Sequence, residues 1–142
     1  MIEEKLTVEQ LVGQSPIAIA ILRGPDYIVE HANDLYLEVV DRKAEQFVNK
    51  PLFEGLPELI GQGIKPLLDA VVRTGIAYHG NKFDVEILRK GKKEKVYFNF
   101  VYQPLRNSQG VVDGVVVVAT DVTKHVEESH AIKESEKQFR SL

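Results

Sequence analysis

His31, His79, His125 and His130 are the side chains of this 142-residue chain best suited to metal binding or proton transfer near neutral pH. They are widely spaced. No His-x-x-x-His pair backed by a carboxylate occurs, and His125 and His130, five residues apart, fall on different azimuths of a helix, so a shared metal is not expected. Each reads as a surface or partly buried imidazole, with His31 placed where it either touches a ligand or bonds a loop carbonyl. There is no cysteine, which removes disulfides, thiolate metal sites, a cysteine nucleophile and a thiol-linked chromophore together. Gly55, Gly61, Gly63 and Gly75 match neither a phosphate loop nor a dinucleotide fingerprint. Asp84 and Glu86 share a strand face but alternate with Phe83 and Val85, which points them to solvent. No serine, histidine and acid stand in a nucleophile motif. None of these residues forms a recognisable catalytic or metal-binding constellation.

The most informative polar motif is Asp121-Val122-Thr123. A strand ends there and a charged, helix-like segment begins, so Asp121 or Thr123 can accept the orphan N–H groups of the new helix. On its residues alone the motif reads as a static cap. Asn33 is placed to cap a short helix in the same way.

The elements that position these groups follow from hydrophobic period. Thr7 and Gln10 form a capping box for a short apolar helix through Val12, stopped by Gly13. The apolar run Ile17–Leu22 and the alternation around Tyr27, Val29 and His31, separated by Gly24-Pro25-Asp26, predict a hairpin. Leu35, Tyr36, Val39 and Val40 give the helix after Asn33 an apolar face. Pro51, Gly55 and Pro57 break residues 41–58 into single turns anchored by Phe47, Val48, Leu52 and Phe53. Ile64, Leu67, Leu68 and Val71 follow helical spacing up to Gly75, with Pro66 in the first turn. Beyond Gly75 the period becomes 2: Phe83, Val85 and Ile87, then Val96, Phe98, Phe100 and Tyr102. Turns at residues 89–93 and 107–110 separate these strands from a last one, Val111 to about Val122, with seven valines in twelve positions. The expected fold class is α+β: a five-stranded antiparallel sheet with short helices and one longer helix on one face.

Composition is compatible with one domain. Hydrophobic residues make up 44% and charged residues 27%, and 18 basic against 21 acidic residues leave a net charge of −3. No clustered positive field for nucleic acid is present. The longest apolar run, Val115–Ala119, is far short of the roughly 20 residues that span a bilayer, and the acidic start Met1–Lys5 lacks the features of a secretion signal. A cytoplasmic location without membrane contact in this segment is expected.

The element order resembles a PAS domain, a sensory module of bacterial signalling proteins. Its carriers are Glu30-His31-Ala32-Asn33, the Gly55-to-Gly75 middle, and above all Gly114-Val115-Val116-Val117-Val118-Ala119-Thr120-Asp121-Val122-Thr123, which resembles the family's closing strand with its Asp-x-Thr ending. The resemblance covers about residues 13–123, with a flanking helix over 1–12 and a signalling helix or linker over 124–142. The tail Glu134–Leu142 resembles the lead-in of a following repeat. The resemblance implies a non-catalytic sensory domain of a two-component sensor histidine kinase, joined to adjacent signalling domains and dimerising through its flanking helices. Its alternatives are a ligand-free spacer and dimerisation module, or the sensory module of another output enzyme.

By the same resemblance, the inner sheet face and the helices enclose a small-molecule pocket, for which the candidates are Tyr36, Leu67, Leu68, Val71, Phe83, Phe98, Phe100, Val116 and Val118. These residues would equally fill a packed core. Asp121 and Thr123 would couple the sheet to the outgoing helix. Haem-binding members use an axial histidine from the long helix, and residues 65–73 contain none, so haem is not expected; a noncovalent small molecule stays compatible. His130 is followed by Ala131 rather than the acidic residue of a phosphoacceptor motif, and no such role is expected of it.

Overall fold

The computed structural model describes residues 17–140, with side-chain surroundings for 17–133; the helix expected at Thr7 to Val12 lies outside them. The order is β1 (Ala18–Arg23), β2 (Ile28–Ala32), α1 (Asp34–Val40), α2 (Ala44–Phe47), α3 (Leu52–Gly55), a 3₁₀ turn (Pro57–Leu59), α4 (Ile64–Thr74), β3 (Tyr78–Arg89), β4 (Lys92–Arg106), β5 (Val112–Asp121) and α5 (Thr123–Arg140). The five strands form one antiparallel sheet in the order β2-β1-β5-β4-β3, with α1 to α4 over one face.

Local chemistry explains the turns. Lys90 and Gly91, the two residues between β3 and β4, both have positive φ (52° and 75°), the backbone a two-residue hairpin needs to match strand twist. Between β4 and β5, the Asn107 side-chain oxygen accepts the backbone N–H of Gln109 (2.9 Å) and Val111 (3.1 Å).

Long-range pairing is a different matter. β1 lies beside β5 in a register from Ala18↔Ala119 to Arg23↔Gly114, so the first and last strands share the sheet centre. Gly114 makes this approach feasible, because a Cβ there would sit 2.5 Å from the Leu22 carbonyl oxygen. Gly80 plays a comparable part on β3: a Cβ would lie 2.2 Å from the Phe100 ring, which rests against it. After Gly80 a bulge interrupts the β3–β4 register, and pairing resumes at Phe83↔Phe98.

The helical layer is built from pieces too short to stand alone in water, so tertiary bonds must hold them. Asn33, 3% exposed, caps α1 by accepting the Tyr36 N–H (2.9 Å) and also accepts the Ile19 N–H (3.0 Å) while donating to the Ile17 carbonyl (2.6 Å). Helix and strand are thereby fixed to one amide. The Tyr27 hydroxyl donates to Asp69 and ties the first hairpin to α4.

Both sheet edges are partly covered. On β2, Val29 exchanges backbone bonds with Lys50 and Asn49 (2.9 and 2.7 Å). On β3, side chains take the place of a strand: Gln62 donates to the Glu86 carbonyl (2.9 Å) and accepts its N–H (2.8 Å). Two residues on, Glu58 accepts the Leu88 N–H (2.9 Å) and Arg42 donates to the Leu88 carbonyl (3.0 Å). Arg42 and Glu58 also pair with each other at 2.6 Å, their side chains 16% and 4% exposed.

Replacing Glu58 with alanine would leave the Arg42 guanidinium unpaired and the Leu88 N–H without its acceptor. Urea unfolding should show a loss of about 3 kcal/mol, in the range for breaking a buried pair from one side; a loss below about 1 kcal/mol would show that the helical layer does not depend on this clamp.

Candidate functional site

Between the inner sheet face and the helical layer lies an apolar cavity of about 60 Å³. α1 supplies Tyr36, Val39 and Val40 to its wall, while Leu56, Leu59 and Ile64 come from the turns and the start of α4. β3 and β4 contribute Phe83, Val85, Ile87, Phe98, Phe100 and Tyr102, and Ala18, Val117 and Ala119 complete it. Phe100 is the centre of the aromatic wall. Phe83 meets it edge-on at 5.4 Å between centroids, and Tyr102 lies tilted at 4.6 Å. Tyr36 stacks on the fully buried Phe47 at 5.8 Å, which holds the ring against the cavity.

Of the pocket candidates read from sequence, Tyr36, Phe83, Phe98 and Phe100 lie on this wall. Leu68 and Val71 are fully buried and Leu67 partly buried, but all three pack into the core away from the wall, and Ile64 one turn earlier is the α4 residue that reaches it. Val116 and Val118 are half-buried on the opposite sheet face. The register sets this phase: Val117 is opposite Tyr102 and Ala119 opposite Phe100, so those two share the aromatic face. A continuous valine run carries no alternation from which the phase could be read. Tyr102, Val85 and Ile87 stand in alternations the sequence does display, and that signal could have placed them. Val39 and Val40 stood on the apolar helix face the spacing displays, whereas Leu56 and Leu59 had no comparable signal.

Burial pushes the Tyr36 phenol up to about 12. It raises Tyr102 too, helped by the neighbouring phenols of Tyr36 and Tyr78. Both therefore stay protonated near neutral pH. His79, His125 and His130 are exposed, and no histidine reaches the cavity wall. Among the described residues no group of three or more His, Asp or Glu could hold a metal ion, and no helix is long and apolar enough to cross a membrane.

A second cluster stands at the junction of β5 and α5. Asp121 accepts the backbone N–H of Thr123 (2.9 Å) and its hydroxyl, and Thr123 Oγ1 accepts the Tyr97 N–H (2.9 Å). Arg89 bridges from Asp121 (3.1 Å) to the Val39 carbonyl (2.9 Å). α5 is seated by Val126, 5% exposed. Burial alone would raise the Asp121 carboxyl, but bonds from Thr123 and the Arg89 guanidinium outweigh it and hold the group below its ordinary 3.8.

The profile of the PAS fold family matches residues 12–127. Among solved structures, an RNA-binding light-oxygen-voltage receptor superposes with a TM-score of 0.65 at 15% identity, covering 92% of this chain and 36% of that one. A sensory box sensor histidine kinase from Vibrio cholerae gives 0.59 at 22% identity, with 80% and 86% covered. The VqmA dimer of Vibrio cholerae, a LuxR-type receptor, gives 0.66 at 23% identity, with 85% and 53% covered. At these identities the likeness is one of fold. The chain spans about a third of the first receptor and about half of VqmA.

Because the folded state holds the Asp121 carboxyl below its unfolded value, it binds that proton more weakly than the unfolded chain does. The resulting stability is complete above the ordinary value of 3.8 and is lost as pH falls through the folded pKa. The difference in unfolding free energy between wild type and Asp121→Asn should be flat from neutral pH to about 5 and shrink below about 4. A difference that does not change with pH in that range would contradict the geometry of this junction.

Proposed function

Because the chain belongs to the PAS-fold family, we propose that it is the sensory, signal-relay and protein-interaction domain of a sensor histidine kinase, coupling the state of its cavity to α5. As a PAS-fold sensory domain it is not itself catalytic. One observation carries the coupling: an unbroken run of bonds from the cavity wall to the outgoing helix. Val39 puts its side chain on the cavity and its carbonyl on Arg89; Arg89 holds Asp121, and Asp121 holds the first residue of α5. An occupant that moves α1 acts on that helix through Arg89, by no more than its difference in affinity for the two arrangements.

The kinase output is supported by the likeness to the Vibrio cholerae histidine kinase. A noncovalent ligand is supported by the cavity, and VqmA, of like fold, has been solved bound to DPO. A homodimer through the flanking helices is supported by Ile132, 61% exposed on α5, and by the dimeric state of VqmA. A second reading, a sensory module with another output, is favoured by the same fold in a LuxR-type receptor and an RNA-binding receptor.

Val40→Leu adds a methylene at the cavity wall, far in sequence from α5. In amide NMR spectra it should shift the resonances of residues 123–126, and adding Arg89→Met should abolish those shifts while leaving the ones around α1. Unchanged α5 resonances in Val40→Leu would sink the relay.

In sedimentation equilibrium the chain should behave as a dimer that Ile132→Glu weakens at least tenfold, the effect of a charge forced into an interface core. A wild-type chain that is monomeric at micromolar concentration, or a dimer that the variant leaves untouched, would remove α5 as the dimer contact.

A further inference from the structure

The cavity wall carries two polar side-chain groups, the hydroxyls of Tyr36 and Tyr102; every other lining side chain is aliphatic or phenyl. The two tyrosines are 9% and 7% exposed. Neither hydroxyl has a hydrogen-bond partner among the described residues. Yet among the described residues no fully buried side-chain nitrogen or oxygen lacks one, so these oxygens touch open space rather than packed atoms. Both residues line the cavity, which offers that space. An unpaired O–H in an apolar enclosure is unfavourable, and an occupant bringing an acceptor relieves it.

Resting on the reading of the cavity as a ligand site, we propose that its ligand class is a small, uncharged, largely apolar ring compound with one hydrogen-bond acceptor, received by the hydroxyls of Tyr36 and Tyr102. A carbonyl or ring nitrogen fits. A carbonyl oxygen has two lone pairs and can accept from both hydroxyls at once. Burial keeps both phenols protonated, so they are donors across the physiological range. Nothing on the wall compensates a charge, and moving an ion from water into such a lining is prohibitive. Phenyl and phenol faces on β3 and β4 suit a flat ring.

Size sets a further condition. An apolar cavity that takes benzene measures about 150 Å³, against about 60 Å³ here. The walls must therefore yield when a ring enters. Phe83 is the aromatic wall residue free to do so, being partly exposed and placed directly after the β3 bulge.

The test is an NMR titration of the full chain with three probes of similar shape: acetophenone, with a carbonyl; isopropylbenzene, without one; and benzoate, charged. Acetophenone should bind about tenfold more tightly than isopropylbenzene, the ratio one hydrogen bond gives. Tyr36→Phe/Tyr102→Phe should erase that preference and leave isopropylbenzene binding unchanged. The ¹³Cζ resonances of Tyr36 and Tyr102 in the unsubstituted chain should move with acetophenone and stay still with isopropylbenzene, a readout independent of how the variant folds. Equal binding of the two neutral probes, a preference that survives the double substitution, or benzoate binding as tightly as acetophenone overturns the ligand class while the cavity remains a binding site. Failure of all three probes overturns the ligand-site reading and this inference with it.

Discussion

The free edge of β3 is the constraint on which the rest of the structure depends. A strand edge exposes N–H and C=O groups that pair with another chain unless something covers them. Here the cover is made of side chains: the Gln62 amide imitates a peptide group opposite Glu86, and the Arg42–Glu58 pair does the same opposite Leu88. Because Arg42 follows α1, Glu58 lies in the 3₁₀ turn and Gln62 precedes α4, satisfying one edge also sets where the helical layer sits. Arg42 reaches back to the carbonyls of Val40 and Gly55 as well, so three short elements and β3 meet at one guanidinium. Burying an ion pair is weak evidence for stability in itself. Its value here is positional, since helices of four to seven residues cannot hold their place by their own backbone bonds and depend on tertiary contacts such as this one.

That positioning leaves a gap. Long helices on a sheet interdigitate to near-crystalline density, whereas single turns interrupted by Pro51, Gly55 and Pro57 present few ridges to the aromatic face beneath. Phe47 fills the space behind Tyr36 and Leu68 the space under α4, and between them the wall stays incompletely filled. The cavity is a consequence of irregular helical cover, and its two phenols are the groups that leave it incompletely apolar.

The β5–α5 junction joins this interior to the outgoing helix through ordinary capping chemistry. Thr123 begins α5 and is held from two directions, by Asp121 on its own strand and by the Tyr97 N–H on β4. An isolated cap would end there. Arg89 extends it, because one guanidinium spans the Asp121 carboxylate and the Val39 carbonyl and also lies 3.6 Å from Glu94. The helix start, two strands and the cavity-facing helix therefore share a single charged group.

Periodicity and turn chemistry are local properties, and they made much of this protein legible in sequence. The alternations from Phe83 to Ile87 and from Val96 to Tyr102, the turns at Lys90-Gly91 and Asn107, the Asn33 cap and the helix ending at Gly75 all depend on residues a few positions apart. The Asp121-Val122-Thr123 motif could be read as a helix cap for the same reason, and as a joint only through the family resemblance. The partners that complete it could not: Arg89 is 32 residues from Asp121, and nothing in its neighbourhood announces the contact. The phase of β5 was equally hidden, because every position from Val115 to Val118 is apolar and only pairing with Tyr102 and Ala20 determines which valines face inward. The sequence by itself determined the elements, their order and the absence of thiol chemistry. Tertiary structure alone decided the pairing of β1 with β5, the clamp on β3 and the cavity, since each arises where groups distant in sequence exclude or satisfy one another, and no local pattern encodes the space left between them.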